Sequence, residues 1–121
     1  MAVIVLVEDM PANRALATKL LTAAGHDVIS ASTGTDGVRL VAERSPDLVL
    51  MDLGLPDIEG QEALRKIRST ATAGPAVKVI AFTAHAMVGD RERVLAAGFD
   101  GYLSKPIEFA TFARSVEALL P

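Results

Sequence analysis

The stretch Ser45-Pro46-Asp47-Leu48-Val49-Leu50-Met51-Asp52-Leu53-Gly54-Leu55-Pro56 decides the fold. Leu48 to Met51 form an unbroken apolar run bounded by Pro46 on one side and by Gly54 and Pro56 on the other. A run this short, with no polar face and with turn residues at both ends, reads as a strand buried on both sides. Such a strand belongs inside a parallel sheet covered by helices above and below. It delivers Asp52 at its carboxyl end, where the chain leaves the sheet. An isolated loop aspartate is ordinarily a turn cap, so the residues that the other strands bring to the same edge decide what Asp52 is for.

Upstream, Val3 to Val7 is β-branched and apolar throughout and forms the first strand, ending in Glu8-Asp9. Pro11 suits the first turn of a helix. Leu16, Leu20, Leu21 and Ala24 follow at helical spacing, and Gly25 after Ala23-Ala24 stops the helix in a left-handed turn. Asp27 to Ala31 is a second strand. Thr33-Gly34-Thr35 caps a second helix with Val38, Val41 and Ala42 facing inward, and Ser45-Pro46 ends it. Downstream, residues 56–60 form a loop, and Ala63, Leu64 and Ile67 mark a third helix. Ser69 to Pro75 reads as a mobile loop of small residues.

Val77 to Phe82 is the fourth strand, ending at Thr83, and a fourth helix stops at a second Ala-Ala-Gly, residues 96–98. Asp100 to Leu103 is the fifth strand and leads into Ser104-Lys105-Pro106, where either isomer of the Lys105-Pro106 bond is open. Phe109, Phe112, Ala113, Val116, Leu119 and Leu120 give the last helix its apolar stripe. Met10, Met51 and Met87 read as filler in the core and loops. Strict alternation of strand and helix implies a parallel sheet with right-handed crossovers. At this length the expected α/β architecture is a doubly wound, flavodoxin-like, five-stranded parallel sheet of order 2-1-3-4-5, whose switch point lies between the first and third strands.

Composition narrows the chemistry. The 121 residues suffice for one domain, and half are hydrophobic, so the chain folds rather than staying disordered. The absence of cysteine excludes disulfides, thiolate metal sites and thiol nucleophiles. A net charge of −3 without a cluster of Lys or Arg argues against nucleic acid as a direct partner. No apolar run approaches the roughly 18 residues of a membrane span. Met1 leads straight into a strand with no charged leader, which favours a cytoplasmic protein over a secreted one.

Four strand ends deliver polar groups to one edge: Glu8-Asp9, Asp52, Thr83 and Lys105. The first and third strands are expected neighbours, so Glu8, Asp9 and Asp52 converge, and three close carboxylates call for a compensating cation. Oxygen ligands without His or Cys suit Mg²⁺. Lys105, the Thr83 hydroxyl and the Ala84 N–H would complete a cradle for an anion. A phosphoryl group fits, since a carboxylate such as Asp52 can accept one as an acyl phosphate while cations on either side neutralise its oxygens.

On these residues the chain closely resembles the receiver domain of two-component response regulators. The resemblance runs from Val3 to about Leu120 and rests on Val7-Glu8-Asp9, on residues 47–56 with Gly60, on Phe82-Thr83-Ala84 and on Tyr102-Leu103-Ser104-Lys105-Pro106-Ile107. Residues 86–92 look most like single-domain receivers of the DivK type and receivers of hybrid kinases. The resemblance implies a CheY-like fold with residues 1–121 as one receiver domain. It implies that Asp52 takes phosphate from a phosphohistidine of a sensor histidine kinase or a histidine phosphotransfer protein. Asp9, Asp52 and the Gly54 carbonyl would bind Mg²⁺, with Glu8 acting through metal-bound water. Thr83, Lys105 and the Ala84 N–H would hold the phosphoryl oxygens, and Thr83 with Tyr102 would form the switch. A downstream protein would bind the face formed by the fourth helix, fifth strand and fifth helix, with no chemistry on external substrates. His85 lies near the path of a hydrolytic water and takes no firm role.

Three other readings compete. A haloacid-dehalogenase-type phosphatase also uses Asp, Thr and Lys, but carries a second Asp where this chain has Gly54. A flavodoxin-like cofactor binder needs a Ser/Thr/Gly-rich phosphate loop where this chain has Glu8-Asp9. A degenerate receiver would lack part of the acidic set or Lys105.

Overall fold

The computed structural model describes residues 2–70, 77–83 and 90–120. The elements alternate: β1 (Val3–Val7), α1 (Pro11–Ala23), β2 (Asp27–Ala31), α2 (Gly34–Arg44), β3 (Leu48–Asp52), α3 (Gly60–Arg68), β4 (Lys78–Thr83), α4 (Asp90–Ala96), β5 (Gly101–Ser104) and α5 (Phe112–Glu117). All pairings are parallel and the strand order is β2-β1-β3-β4-β5, as the alternation predicts.

Every residue of β3 is buried. Because side chains alternate across a sheet, neighbouring strands feed two separate cores. Val5, Val7, Val49, Met51, Val79 and Ala81 pack with Val41, Leu64, Ile67 and Val94 of α2, α3 and α4. Ile4, Leu6, Leu48, Leu50, Ile80 and Phe82 pack with Ala17 and Leu21 of α1 and with Phe112 and Val116 of α5. The sheet is thus sealed on both faces, which leaves its carboxyl edge as the place where polar side chains can gather.

The helix boundaries follow local chemistry. Pro11 opens α1, and Thr33 accepts the Asp36 N–H at the start of α2. Both Ala-Ala-Gly stops close on a left-handed glycine, Gly25 at φ +96° and Gly98 at φ +109°. Gly37 lets α2 settle onto β1, since a Cβ there would lie 2.5 Å from a Val7 methyl.

Some expectations need correction. The buried residues of α1 are Ala17 and Leu21, with Ala24 exposed beyond the helix; in α2, Gly34, Gly37 and Val41 are buried at three- and four-residue spacing, and Ala42 falls outside that stripe. α5 begins at Phe112. Residues 108–111 close a turn, with the Phe112 N–H donating to the Glu108 carbonyl at 2.9 Å, and Phe109 is left 73% exposed. Met10 is exposed, whereas Met51 is core. Met87 and the small-residue stretch 71–75 lie outside the described residues.

Candidate functional site

Residues Val7 and Met51 pair across β1 and β3, so the next residues on each strand, Glu8 and Asp52, emerge side by side at the switch point. Carboxylate oxygens of Glu8, Asp9 and Asp52 lie within 4.8 Å of one another. Glu8 and Asp52 are buried, and Asp9 is half-buried. Glu8 and Asp52 are fixed by backbone: the Glu8 N–H donates to the Ala31 carbonyl at 3.0 Å, Glu8 Oε2 accepts the Met10 N–H at 3.1 Å, and Asp52 Oδ1 accepts the Gly54 N–H at 3.0 Å. Among the described residues, a Cβ at Gly54 would meet Asp52 Oδ1 at 3.7 Å, an ordinary contact distance.

Lys105 enters from the opposite side. The Lys105-Pro106 bond is cis. The Lys105 N–H donates to the Thr83 carbonyl at 2.8 Å, tying the two residues that end β4 and follow β5. Lys105 Nζ forms ion pairs with Glu8 Oε1 at 2.6 Å and Asp52 Oδ2 at 3.5 Å, and it sits 5.1 Å from the centroid of the buried Phe82 ring. Thr83 is buried at the same edge, and Tyr102 is half-buried on β5 against the α2-α3-α4 core. Ala84 and His85 lie outside the described residues.

Burial pushes the Glu8 carboxyl above the ordinary carboxylate range, with the nearby Asp52 adding to the effect and Lys105 opposing it. Burial also acts to raise Asp52, but the Gly54 N–H, hydrogen bonds with Glu8 and Asp9, and the Lys105 charge together bring it below its usual value. The two acids are pushed apart, one tending to hold a proton and the other to lose it. The cluster offers oxygen ligands from three carboxylates and has a single lysine for compensation among the described residues, a donor set that fits Mg²⁺. Clefts of about 380 and 450 Å³ lie between α3 and α4, and a smaller one of about 230 Å³ is lined by Leu53, Thr83 and Val94 beside the carboxyl edge.

Three features of the site were not legible in the sequence. Arg14 Nη1 donates to the Glu8 carbonyl at 2.9 Å; an α1 arginine six residues along gives no such signal. The Phe82 ring, packed against Phe112 with centroids 5.8 Å apart, backs Lys105. Asp57, in the loop after β3, accepts N–H donors from Gly34 and Thr35 at the start of α2, a contact between residues more than 20 positions apart.

A doubly wound sheet with paired acids at its switch point and an ion-paired lysine opposite defines a class: α/β domains that take a phosphoryl group on an aspartate. The chain belongs to the response regulator receiver domain family, whose model matches residues 4–117. It is 35% identical over 117 residues to the polar-differentiation response regulator DivK of Brucella ovis, covering 97% of this chain and 94% of the relative. Among solved structures it is similar to the receiver domain of a sensor histidine kinase from Pseudomonas aeruginosa, which holds a magnesium ion in its active-site cleft. The identity is 37%, the TM-score 0.85 and the coverage 98% of this chain and 96% of that one. Chemotaxis response regulator CheY4 of Vibrio cholerae superposes with a TM-score of 0.90 over 99% of both chains, but at 22% identity it speaks for the fold alone.

A receiver domain of this family accepts its phosphoryl group from a histidine kinase onto an active-site aspartate, with Mg²⁺ as cofactor, and catalyses only its own phosphorylation and dephosphorylation. No helix among the described residues is long and apolar enough to cross a membrane.

Proposed function

We propose that residues 1–121 act as one receiver domain in the cytoplasm, with Asp52 as the phosphoacceptor. One observation carries this reading: Asp52 stands between both charges the reaction needs, 3.5 Å from Lys105 Nζ and within 4.8 Å of Glu8 and Asp9. Asp9, Asp52 and the Gly54 carbonyl would hold Mg²⁺, with Glu8 bound to its water; when bound, the ion neutralises charge on the transferring oxygens.

The chain's own residues do the rest. The Gly54 N–H holds Asp52 Oδ1, so the carboxylate is fixed with Oδ2 toward Lys105. Its lowered pKa keeps it ionised as the nucleophile. The phosphorus–nitrogen bond of the donor phosphohistidine breaks as the bond from Asp52 to phosphorus forms, and the imidazole of the donor leaves. Lys105 and the Thr83 hydroxyl, with the Ala84 N–H, take the phosphoryl oxygens.

Lys105 then exchanges part of its contact with Glu8 for the new anion, and Thr83 draws toward it. Tyr102 on β5 follows, which biases the face formed by α4, β5 and α5 toward a downstream protein partner. The donor is a sensor histidine kinase or a histidine phosphotransfer protein.

Beryllofluoride with Mg²⁺, a mimic of the acyl phosphate, tests the switch. Amide shifts should extend across residues 101–117, and Asp52→Asn should abolish them. Shifts confined to residues 8–9, 52–54 and 105 would overturn the switch.

A further inference from the structure

We propose that Asp57 is a positioning residue for the acceptor loop: by capping α2 from across the fold, it holds the β3–α3 connection in place and thereby sets the affinity of the acidic pocket for Mg²⁺. The inference rests on the proposed function, in which the Gly54 carbonyl is a ligand.

Asp57 Oδ1 accepts the Gly34 N–H at 2.8 Å, and Oδ2 accepts the Thr35 N–H at 2.9 Å and the Thr35 hydroxyl at 2.7 Å. The helix already has a local cap, since Thr33 Oγ1 accepts the Asp36 N–H at 3.2 Å. Asp57 therefore takes the first two N–H groups, which that cap leaves over. Asp57 and Thr35 are both exposed, so water could satisfy the Thr35 N–H and hydroxyl if the carboxylate were absent; the Gly34 N–H, on a buried residue, is the one donor with less access to water. Helix stability alone gives a weak reason for three hydrogen bonds spanning 22 or 23 residues. Fixing the loop gives a stronger one.

Two close contacts make the first turn of α2 a rigid plate beneath both acid-bearing segments. At Gly34 a Cβ would lie 2.5 Å from Ile58 Cγ1 and 3.3 Å from Leu55 Cδ1, so the loop presses directly on the helix backbone. At Gly37 a Cβ would lie 2.5 Å from a methyl of Val7, the residue before Glu8. Asp57 pins the loop to this plate three residues after Gly54, whose N–H orients Asp52. Burial opposes ionisation of Asp57 slightly, but hydrogen bonds from Thr35 and Gly34 hold it far below the ordinary carboxylate range. Asp57 therefore stays ionised at neutral pH, with both oxygens free to accept.

The test is Mg²⁺ affinity of the intact protein by calorimetry, with thermal unfolding in EDTA measured alongside. Asp57→Ala should weaken Mg²⁺ binding about tenfold, the scale seen when a residue supporting a ligand is removed. Asp57→Asn, which keeps one acceptor oxygen, should weaken it less, and it carries the test if the alanine variant does not fold. Thr33→Ala removes the local cap of the same helix without touching the loop; it should lower the melting temperature yet bind Mg²⁺ like the wild type. Wild-type affinity in both Asp57 variants, or an equal loss in Thr33→Ala, would overturn the positioning role. If Asp52→Asn also binds Mg²⁺ like the wild type, the reading of the acidic pocket fails and the positioning role fails with it.

Discussion

Replacing Lys105 with methionine keeps the length of the side chain and removes the charge that faces Glu8 and Asp52. At an effective dielectric constant of about 20, bare attraction at the observed 2.6 and 3.5 Å amounts to about 6 and about 5 kcal/mol. Desolvation of the lysine offsets much of this. Breaking a buried pair from one side usually costs about 3–5 kcal/mol, because the remaining charge is stranded. Glu8 has an escape, since burial already raises its pKa and it can take a proton instead. The expected loss is therefore near the low end, about 3 kcal/mol at neutral pH without metal.

The sign with pH follows from linkage. A carboxyl whose folded pKa lies above its unfolded value binds more protons when folded, so stability is lost as pH rises from the ordinary carboxylate range through the folded pKa. Removing Lys105 enlarges that shift, so the deficit of Lys105→Met should grow with rising pH and shrink below about pH 4. Mg²⁺ should stabilise the wild type by roughly 1.4 kcal/mol at ten times its dissociation constant. It should stabilise the variant more at the same concentration, because the ion no longer competes with the ammonium for Glu8 and Asp52. Urea melts in EDTA and in Mg²⁺ at several pH values give every quantity. A variant as stable as the wild type in EDTA, or one that gains no more from Mg²⁺, would refute the view that Lys105 compensates the acids.

Other perturbations probe the scaffold. Asp57 has a depressed folded pKa, so its contribution is present above an unfolded pKa of about 3.9 and is lost as pH falls toward the folded value. The difference in urea midpoint between the wild type and Asp57→Asn should thus be constant above about pH 5 and narrow on acidification. Gly37→Ala forces a methyl against Val7 in the packed core and should cost about 1–3 kcal/mol, with partial rescue by Val7→Ala in a double-mutant cycle. His26 accepts the Ala2 N–H at Nδ1, 3.1 Å away, and meets Glu117 through Nε2 at 2.8 Å, joining the start of β1 to the end of α5. His26→Ala should cost about 1–3 kcal/mol by leaving that buried N–H without a partner, and hydrogen exchange at Ala2 should accelerate.

Much of this molecule was legible because its periodicities are clean. The apolar run of β3 and the β-branched run of β1 specify buried strands, and the alternation of elements specifies the order. The site was legible because parallel strands end at one edge, so residues that follow strands meet whatever lies between them. Helix faces were read less well. A glycine that permits close approach, such as Gly37, occupies a core position yet looks like a break in the pattern. Phe109 fits an apolar stripe in sequence, yet the turn closed on Glu108 excludes it from the helix. Contacts set by tertiary packing, such as Asp57 to α2, Arg14 to the Glu8 carbonyl and His26 to Glu117, carry no local pattern at all.

Asp52, held between the acid pair and Lys105, is the proposed phosphoacceptor. Incubation with acetyl phosphate and Mg²⁺, followed by borohydride reduction and peptide mass spectrometry, tests it directly. One modification is expected, on Asp52, dependent on Mg²⁺ and absent from Asp52→Asn. A phosphoryl group mapped to Asp9, Thr83 or any other side chain, or undiminished labelling of Asp52→Asn, would contradict it.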